Sequence, residues 1–249
     1  MQEKSALGRA MAMVRELRIR CSWDRVQTRE TLRPYLIEEV HELDHAIGSG
    51  DPQEIRHEVA DLLLHLAWQL VLAEEAGEFG PDDAAADLEA KMRRRHPHLF
   101  ELGPQEGWET LKRKESHRRG TLEGLPASLP ELLMAFRLQE RAAAVGFDWT
   151  DPSGPAAKVR EELAEVEAES DPARLEHEIG DLLFAVVNLA RKVGVRPGPA
   201  LTRANSRFRE RFAQVERLAA ERGMELAKAG LPALDQLWEE AKRLQREPL

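Results

Sequence analysis

The chain has 249 residues, a formal net charge of −9 and a single cysteine. This length allows one large domain or two of ordinary size, and the acidic balance argues against binding to duplex nucleic acid. One cysteine cannot form an internal disulfide, which is typical of the reducing cytoplasm, so we expect a cytoplasmic location. The most apolar window, residues 62–73, is too short to cross a bilayer, so we expect no membrane association.

The chain is predicted to be all-α. Aromatic residues make up only 5% of the chain, and its wealth of Ala, Leu, Glu and Arg favours helix over strand. No segment alternates apolar and polar residues as a half-buried strand does. Turn signals rich in Gly, Pro and Asp divide the chain into predicted helices over residues 4–19, 29–48, 52–76, 82–95, 105–118, 128–144, 154–169, 171–193, 197–222 and 231–246.

Two segments of the chain repeat one another at a spacing near 120 residues. The stretch "EEVHELDHAIGSGDPQEIRHEVADLLLHLA" in the first half matches "EELAEVEAESDPARLEHEIGDLLFAVVNLA" in the second. Further on, "WETLKR" at 108–113 matches "WEEAKR" at 238–243. The duplication predicts tandem helical-bundle domains, residues 1–118 and 131–249, joined by a linker at 119–130 that is rich in Gly, Pro and Ser.

Each repeat carries four carboxylates at matching positions. Residues three apart lie on one helix face, so an antiparallel pair of these helices would point all four at one another. Such a cluster repels itself and is costly to desolvate unless it binds a cation, and oxygen-only ligation suits Mg²⁺, with Mn²⁺ as a possible substitute. A solvated acidic flank would explain one set, but two sets in register favour metal sites. The candidate ligands are Glu39, Glu42, Glu58 and Asp61 in the first repeat, and Glu162, Glu165, Glu178 and Asp181 in the second.

Basic and aromatic residues follow each acidic block at helical spacing. Arg and Lys contact phosphate oxygens well, and Trp can stack on a base or pack against a ribose. For each residue alone, a charged helix face or a core Trp is an equally good interpretation, and recurrence in both repeats favours substrate binding. The candidates are Lys91, Arg95, Trp108 and Lys112 in the first repeat, and Lys158, Arg207, Arg211, Trp238 and Lys242 in the second; Tyr35 is the counterpart of Lys158.

Two other functions compete with this interpretation. The pairs Glu38-x-x-His41 and Glu54-x-x-His57 have the spacing of di-iron carboxylate bundles, but the pattern is lost in the second repeat, where Ala164 and Arg174 stand in place of His41 and Glu54. We therefore expect these histidines to be surface or loop residues, and a di-iron oxidoreductase is disfavoured. A non-catalytic helical adaptor whose acidic grooves bind a basic partner is the second alternative.

A set of ordered motifs resembles the MazG family, within the superfamily of all-α NTP pyrophosphatases, over nearly the whole chain. The motifs are "CSWDRVQT" at 21–28, "YLIEEVHEL" at 35–43, "EVADLLLHL" at 58–66, "RRHPHLF" at 94–100, "VGFDW" at 145–149, "EELAEVE" at 161–167, "EIGDLLFAVVNLAR" at 178–191 and "WEEAKR" at 238–243. The resemblance implies Mg²⁺-dependent hydrolysis of a nucleoside triphosphate to a monophosphate and pyrophosphate. It also implies a homodimer, a broad base range and a role in sanitising or regulating nucleotide pools.

The resemblance also implies roles for particular residues. Glu162, Glu165, Glu178 and Asp181 match the family's metal ligands in the catalytic C-terminal repeat, and Lys158, Arg207, Arg211, Trp238 and Lys242 match its nucleotide contacts. Position 207 is commonly Lys in the family. The ligand pattern of the N-terminal repeat is complete, so its activity stays an open question. Our hypothesis is that a water activated by the metal attacks the α-phosphorus, and that Glu162 or Glu165 takes its proton.

Overall fold

The computed structural model describes residues 5–100, 102–105 and 120–246, and the chain divides into two compact units, residues 1–105 (unit 1) and 106–249 (unit 2). Every regular element of the described residues is helical, which confirms the all-α prediction. None of these described helices is long and apolar enough to span a membrane. The predicted helix at 105–118 lies almost wholly outside the described residues, and Trp108 and Lys112 lie there with it.

Unit 1 is built on a helical hairpin. Its described helices are α1 (Ala6–Arg20), α2 (Ser22–Arg25), α3 (Arg29–Ser49), α4 (Pro52–Glu75) and α5 (Pro81–Arg95), followed by a 3-10 turn at Pro97–Leu99. The helix α3 ends at Gly50, whose φ of 76° is a left-handed conformation that glycine adopts without strain. The Asp51 carboxylate then accepts a 2.8 Å hydrogen bond from the Gln53 N–H, and Pro52 opens α4. This short turn sends α4 back along α3.

The core of unit 1 lies between α1 and α4. Met11 and Val14 of α1 are buried against Trp68 and Val71 of α4, together with Leu32 of α3. These apolar side chains lie three or four residues apart on their helices, which is the spacing of a buried helix face. Burial of this face packs α1 against the hairpin.

Unit 2 repeats the hairpin with the same turn chemistry. Its described helices are α6 (Glu131–Ala143), α7 (Ser153–Ala168), α8 (Pro172–Lys192), α9 (Pro197–Glu221), α10 (Leu226–Ala229) and α11 (Leu231–Arg246). The Asp171 carboxylate accepts hydrogen bonds from the N–H groups of Ala173 and Arg174, and Pro172 opens α8. The Asp-Pro pair that the two repeats share is therefore a helix start in both units.

Three further helices of unit 2 support this hairpin. The helix α6 packs on α8, where the Gln139 side chain donates a 2.8 Å hydrogen bond to the Phe184 carbonyl. The helices α9 and α11 pack together, and α9 also contacts α6 and α8. Five side chains form the buried core between α9 and α11: Val215, Leu218, Ala219, Leu237 and Ala241. Of the helices that carry predicted phosphate contacts, α9 thus adjoins the hairpin, and α11 packs on α9.

The loop between α6 and α7 is fastened to the end of α8. Arg191 donates to both oxygens of Asp148, at 2.5 and 3.2 Å, and Lys192 donates to Asp148 at 3.2 Å and to the Trp149 carbonyl at 2.6 Å. The Arg191 hydrogen bonds, followed by those of Lys192, hold the pKa of Asp148 below its usual range. We call this set the Asp148 clamp. It fixes where α7 begins relative to the end of α8.

Candidate functional site

Three carboxylates of unit 2 converge between α7 and α8. Ligand oxygens of Glu162, Glu178 and Asp181 all lie within 4.8 Å of one another, and we call these residues the unit 2 cluster. Glu162 is only 4% exposed, and its Oε2 atom is buried with no hydrogen-bond partner in the described part of the chain. An ionised oxygen in that position is unfavourable unless a cation or a donor meets it.

Lys158 and Glu165 set the charge around the unit 2 cluster. The Lys158 ammonium lies 2.5 Å from Glu162 and 2.9 Å from Glu161, and its hydrogen bond lowers the pKa of Glu162. Glu165 is not among the three converging residues, but its interaction with the Glu162 carboxylate raises the pKa of Glu165. Glu162 is therefore favoured as a carboxylate, whereas Glu165 retains its proton more readily.

Unit 1 has a corresponding group on α3 and α4. Ligand oxygens of Glu39, Glu42 and Glu58 lie within 4.8 Å of one another, and we call these residues the unit 1 cluster. The Oε2 atom of Glu58 is buried and has no hydrogen-bond partner among the described residues. Asp61 is outside this group of three but lies near enough to raise the pKa of Glu39.

The two clusters differ in how far a nearby positive charge offsets their negative charge. Burial raises the pKa of Glu39, and the repulsion of Asp61, Glu42 and Glu58 adds to it. In unit 2 the Lys158 ammonium lowers the pKa of the equivalent Glu162. Tyr35 stands at the Lys158 position in unit 1, is 43% exposed and packs edge-on against Trp23. The unit 1 cluster therefore lacks the ammonium group that partly neutralises its counterpart.

An open groove runs beside the unit 1 cluster, with a volume of about 550 Å³. His41 and His57 of the two ExxH pairs are both exposed, as the sequence led us to expect, and neither belongs to the cluster. The described residues thus do not assemble a di-iron ligand set in unit 1. The groove is lined by Glu38, His41, Glu42, His45, Ala46, Glu54 and Glu58.

Apart from Lys158 on α7, the predicted phosphate and base contacts of unit 2 lie on α9 and α11. Trp238 lies between the two helices, with its ring centroid 5.2 Å from that of Phe208 and 5.9 Å from the Arg211 guanidinium. Arg211 also donates to Gln245 at 2.7 Å, and Lys242 pairs with Glu239 at 2.5 Å. Arg207 is exposed on α9. Arg211 and Trp238 thus meet across α9 and α11, and Lys242 lies one helical turn beyond Trp238 on α11. Among the described residues, neither Arg211 nor Lys242 has an ion pair to the unit 2 cluster.

The corresponding cations of unit 1 that the structure describes lie on α5. Lys91 and Arg95 are half-buried on α5, which packs chiefly against the following 3-10 turn. Neither has an ion pair with Glu39, Glu42 or Glu58 in the part of the chain that the structure describes. Trp108 and Lys112, the other two predicted contacts of unit 1, lie outside the described residues, so the substrate contacts of unit 1 stay a prediction.

Both clusters fit a divalent cation. Each offers three carboxylates close enough to share one ion, and each contains a buried oxygen, of Glu58 or Glu162, that meets no hydrogen-bond donor among the described residues. Carboxylate oxygens are the ligands that hard divalent ions prefer, and a bound cation removes the desolvation penalty of such an oxygen.

Two histidines near the clusters were not singled out by the sequence analysis. His177 lies 3.5 Å from Asp181. A histidine, His57, also stands at the equivalent position of the first repeat, and this recurrence could have identified His177 from the sequence. His65 is buried on α4 and lies 4.0 Å from Glu39. In the sequence His65 lies within an apolar run, and it has no histidine counterpart in the second repeat, where the equivalent residue is Ala185.

Comparisons with known proteins agree with these features. Residues 27–100 match the family described as MazG nucleotide pyrophosphohydrolase domain. The chain is 43% identical over 230 residues to the nucleoside triphosphate pyrophosphohydrolase/pyrophosphatase MazG of Thermotoga maritima, covering 89% of each chain. It is 40% identical over 238 residues to the nucleoside triphosphate pyrophosphohydrolase of Escherichia coli strain K12, covering 90% of each. Similarity at this level over almost the full length shows that the chain belongs to the MazG nucleotide pyrophosphohydrolase family.

Proposed function

We propose that this protein hydrolyses nucleoside triphosphates to nucleoside monophosphates and pyrophosphate at the unit 2 cluster, with a divalent cation as cofactor. The observation that carries the proposal is the convergence of Glu162, Glu178 and Asp181, with the buried Oε2 of Glu162 unpartnered, in a chain of this family. Mg²⁺ is the ion we assign, because the donors are all carboxylate oxygens and Mg²⁺ commonly completes its coordination with substrate phosphates. Mn²⁺ has similar ligand preferences and is expected to substitute.

Different residues of unit 2 are assigned to cation binding and to proton transfer. When bound, the cation neutralises triphosphate oxygens and lowers the pKa of water. Glu162, Glu178 and Asp181 would hold it. We assign Glu165 as the general base that accepts a proton from the attacking water at the α-phosphorus, because it lies beside the cluster without belonging to it.

Basic residues complete the proposed site. Arg211 and Lys242 lie on the adjacent helices α9 and α11, and with Arg207 they are our candidates for stabilising charge on the phosphates and the departing pyrophosphate. Trp238 offers an aromatic surface to the nucleoside, and stacking on a ring is tolerant of base identity, which is consistent with a broad base range. Lys158 is held by Glu162 and Glu161, so a contact with phosphate requires it to share or exchange these partners.

We also propose that two copies of the chain associate through the hairpin of unit 2. Ile179, Leu183 and Val186 lie at positions i, i+4 and i+7 of α8 and are 42%, 56% and 44% exposed, and Leu163 of α7 is 45% exposed. An apolar stripe with this spacing is the pattern of a helix that packs against another helix. Leu183→Glu is expected to convert a dimer into a monomer in sedimentation analysis, and a wild-type chain that sediments as a monomer would contradict the proposal.

Paired substitutions in the two units test the proposed reaction. Glu178→Ala combined with Asp181→Ala is expected to abolish pyrophosphate release from all common NTPs and dNTPs, while the helical circular dichroism persists. The matched control in unit 1, Glu58→Ala with Asp61→Ala, is expected to retain release. If the unit 2 variant retained full pyrophosphate release and the unit 1 control lost it, the active site would be assigned to unit 1 instead. A wild-type chain that releases no pyrophosphate would support the adaptor alternative instead.

A further inference from the structure

An aromatic patch lies on the surface of α9. Phe208 and Phe212 are one helical turn apart and are 57% and 42% exposed. Their rings are nearly parallel, with an interplanar angle of 12° and centroids 6.0 Å apart. Neither ring is a predicted substrate contact. Large apolar rings that cluster on a surface are typical of sites that bind a ligand or a partner, because their contact with water is unfavourable.

Phe208 connects this patch to Trp238 of α11. The two ring centroids are 5.2 Å apart and the rings are tilted by 46°, which is a favourable aromatic contact. Trp238 is half-buried and packs against the core that contains Val215 and Leu237. The core therefore fixes Trp238, and Trp238 in turn supports the Phe208 ring. Of these two rings, Phe208 offers the larger exposed fraction to a ligand.

Two arginines flank Phe208 along α9. Arg207 precedes it directly, and Arg211 follows three residues later, on the same face of the helix. The Arg211 guanidinium lies 5.9 Å from the centre of the Trp238 ring, so a cation adjoins the aromatic surface. A ligand that suits this surface has a flat apolar part next to an anionic part. A nucleoside triphosphate combines the two, whereas an apolar helix of a second copy would desolvate the Arg211 guanidinium without pairing it.

We propose that the base of the nucleoside triphosphate stacks on Phe208, beside the Trp238 ring that holds Phe208 in place. Every base has a π face, so stacking on a phenyl ring accepts purines and pyrimidines alike. Phe208 is therefore the residue that favours a nucleoside triphosphate over a polyphosphate without a base. This assignment rests on the nucleotide-binding part of the proposed function and not on the hydrolytic step. Its test accordingly measures ligand affinity rather than pyrophosphate release.

The experiment is calorimetric titration of the full-length chain in the presence of Mg²⁺. The probes are α,β-methylene analogues of ATP and CTP, in which the scissile linkage is blocked, and inorganic triphosphate, which lacks a base. Phe208→Ala is expected to weaken binding of both analogues about tenfold and to leave the affinity for inorganic triphosphate unchanged. Phe208→Tyr keeps the ring and is expected to retain the wild-type affinities. The matched control is Phe147→Ala, which removes an exposed phenylalanine outside α9 and α11 and is expected to change neither affinity.

The two kinds of ligand distinguish a stacking residue from a structural one. Equal losses of affinity for the analogues and for inorganic triphosphate would assign Phe208 a structural role, and unchanged affinities would place the base elsewhere; either result overturns the inference. If Phe208→Ala does not fold, Phe208→Leu, which keeps the apolar bulk but not the ring, replaces it with the same expectations.

The same titrations separate this inference from the proposed reaction. If the wild-type chain releases pyrophosphate from NTPs but Phe208→Ala leaves the analogue affinities unchanged, only the stacking role fails. If the wild-type chain releases none but binds the analogues through Phe208, only the reaction fails. A Phe208→Ala chain that changes from dimer to monomer in sedimentation, with its ligand affinities unchanged, would identify the patch as an interface between copies and overturn the inference.

Discussion

The Asp148 clamp provides a quantitative test of how unit 2 positions its α7–α8 hairpin. Asp148→Asn keeps the size of the side chain but removes its charge, leaving Arg191 and Lys192 without their shared carboxylate. Hydrogen bonds to charged groups contribute about 1.5–3 kcal/mol each. The Asp148 side chain is 22% exposed, so water replaces part of this interaction. We expect unit 2 to lose about 2 kcal/mol of its free energy of unfolding, which corresponds to a fall in Tm of about 4–8 °C.

The effect of Asp148→Asn is also expected to depend on pH in a defined direction. Because the clamp lowers the pKa of Asp148 below its usual 3.8, the stabilisation is present above that value and is lost as the pH falls through the folded-state pKa. The stability difference between wild type and Asp148→Asn should therefore be largest near neutral pH and shrink in acid.

The assay is urea unfolding at neutral and acidic pH, followed by circular dichroism, with Arg191→Gln and the double variant completing a cycle. Asp235→Asn, an exposed aspartate at the start of α11, is the control and is expected to change stability by less than about 0.5 kcal/mol. Strictly additive effects of Asp148→Asn and Arg191→Gln would refute the coupling described here. So would a stability loss that is the same at both pH values.

Three further predictions concern unit 2. Lys158→Met removes the ammonium group beside the unit 2 cluster, so calorimetric titration should show tighter Mg²⁺ binding while pyrophosphate release falls about tenfold or more. Gly154→Ala places a Cβ atom 2.0 Å from Trp149 Cδ1 and should lower the free energy of unfolding by about 1–3 kcal/mol; in a Trp149→Ala background the added cost should vanish. Leu237→Ala, at a fully buried core position, should cost about 2–5 kcal/mol, whereas Leu244→Ala, on the exposed side of the same helix, should cost less than about 1 kcal/mol.

The sequence was sufficient to predict the helical hairpins and the family. The Asp-Pro pairs and the acidic residues three apart predict where each hairpin turns and which face carries the carboxylates, because helix starts and helical periodicity are local properties. The predicted α3, residues 29–48, agrees closely with Arg29–Ser49. The predicted domain limits at 118 and 131 stay a prediction, and the compact units divide at residues 105 and 106.

The sequence was less informative where the outcome depends on packing between helices. It could not show that Arg211 and Trp238 meet across α9 and α11. His65 was overlooked because an apolar run with one histidine is indistinguishable from an ordinary buried helix face. Its direction toward Glu39 depends on how α3 and α4 pack, which periodicity alone does not determine.

The shortness of the α7–α8 hairpin has a consequence for folding order. Glu162 and Asp181 delimit a stretch of only 20 residues, so the acidic residues come together through contacts that are local in the chain. Such contacts form early, and a nascent chain emerges from the ribosome in sequence order. We therefore expect the hairpin to be able to capture its ion during synthesis, before the later helices that carry Arg207 and Trp238 have been made.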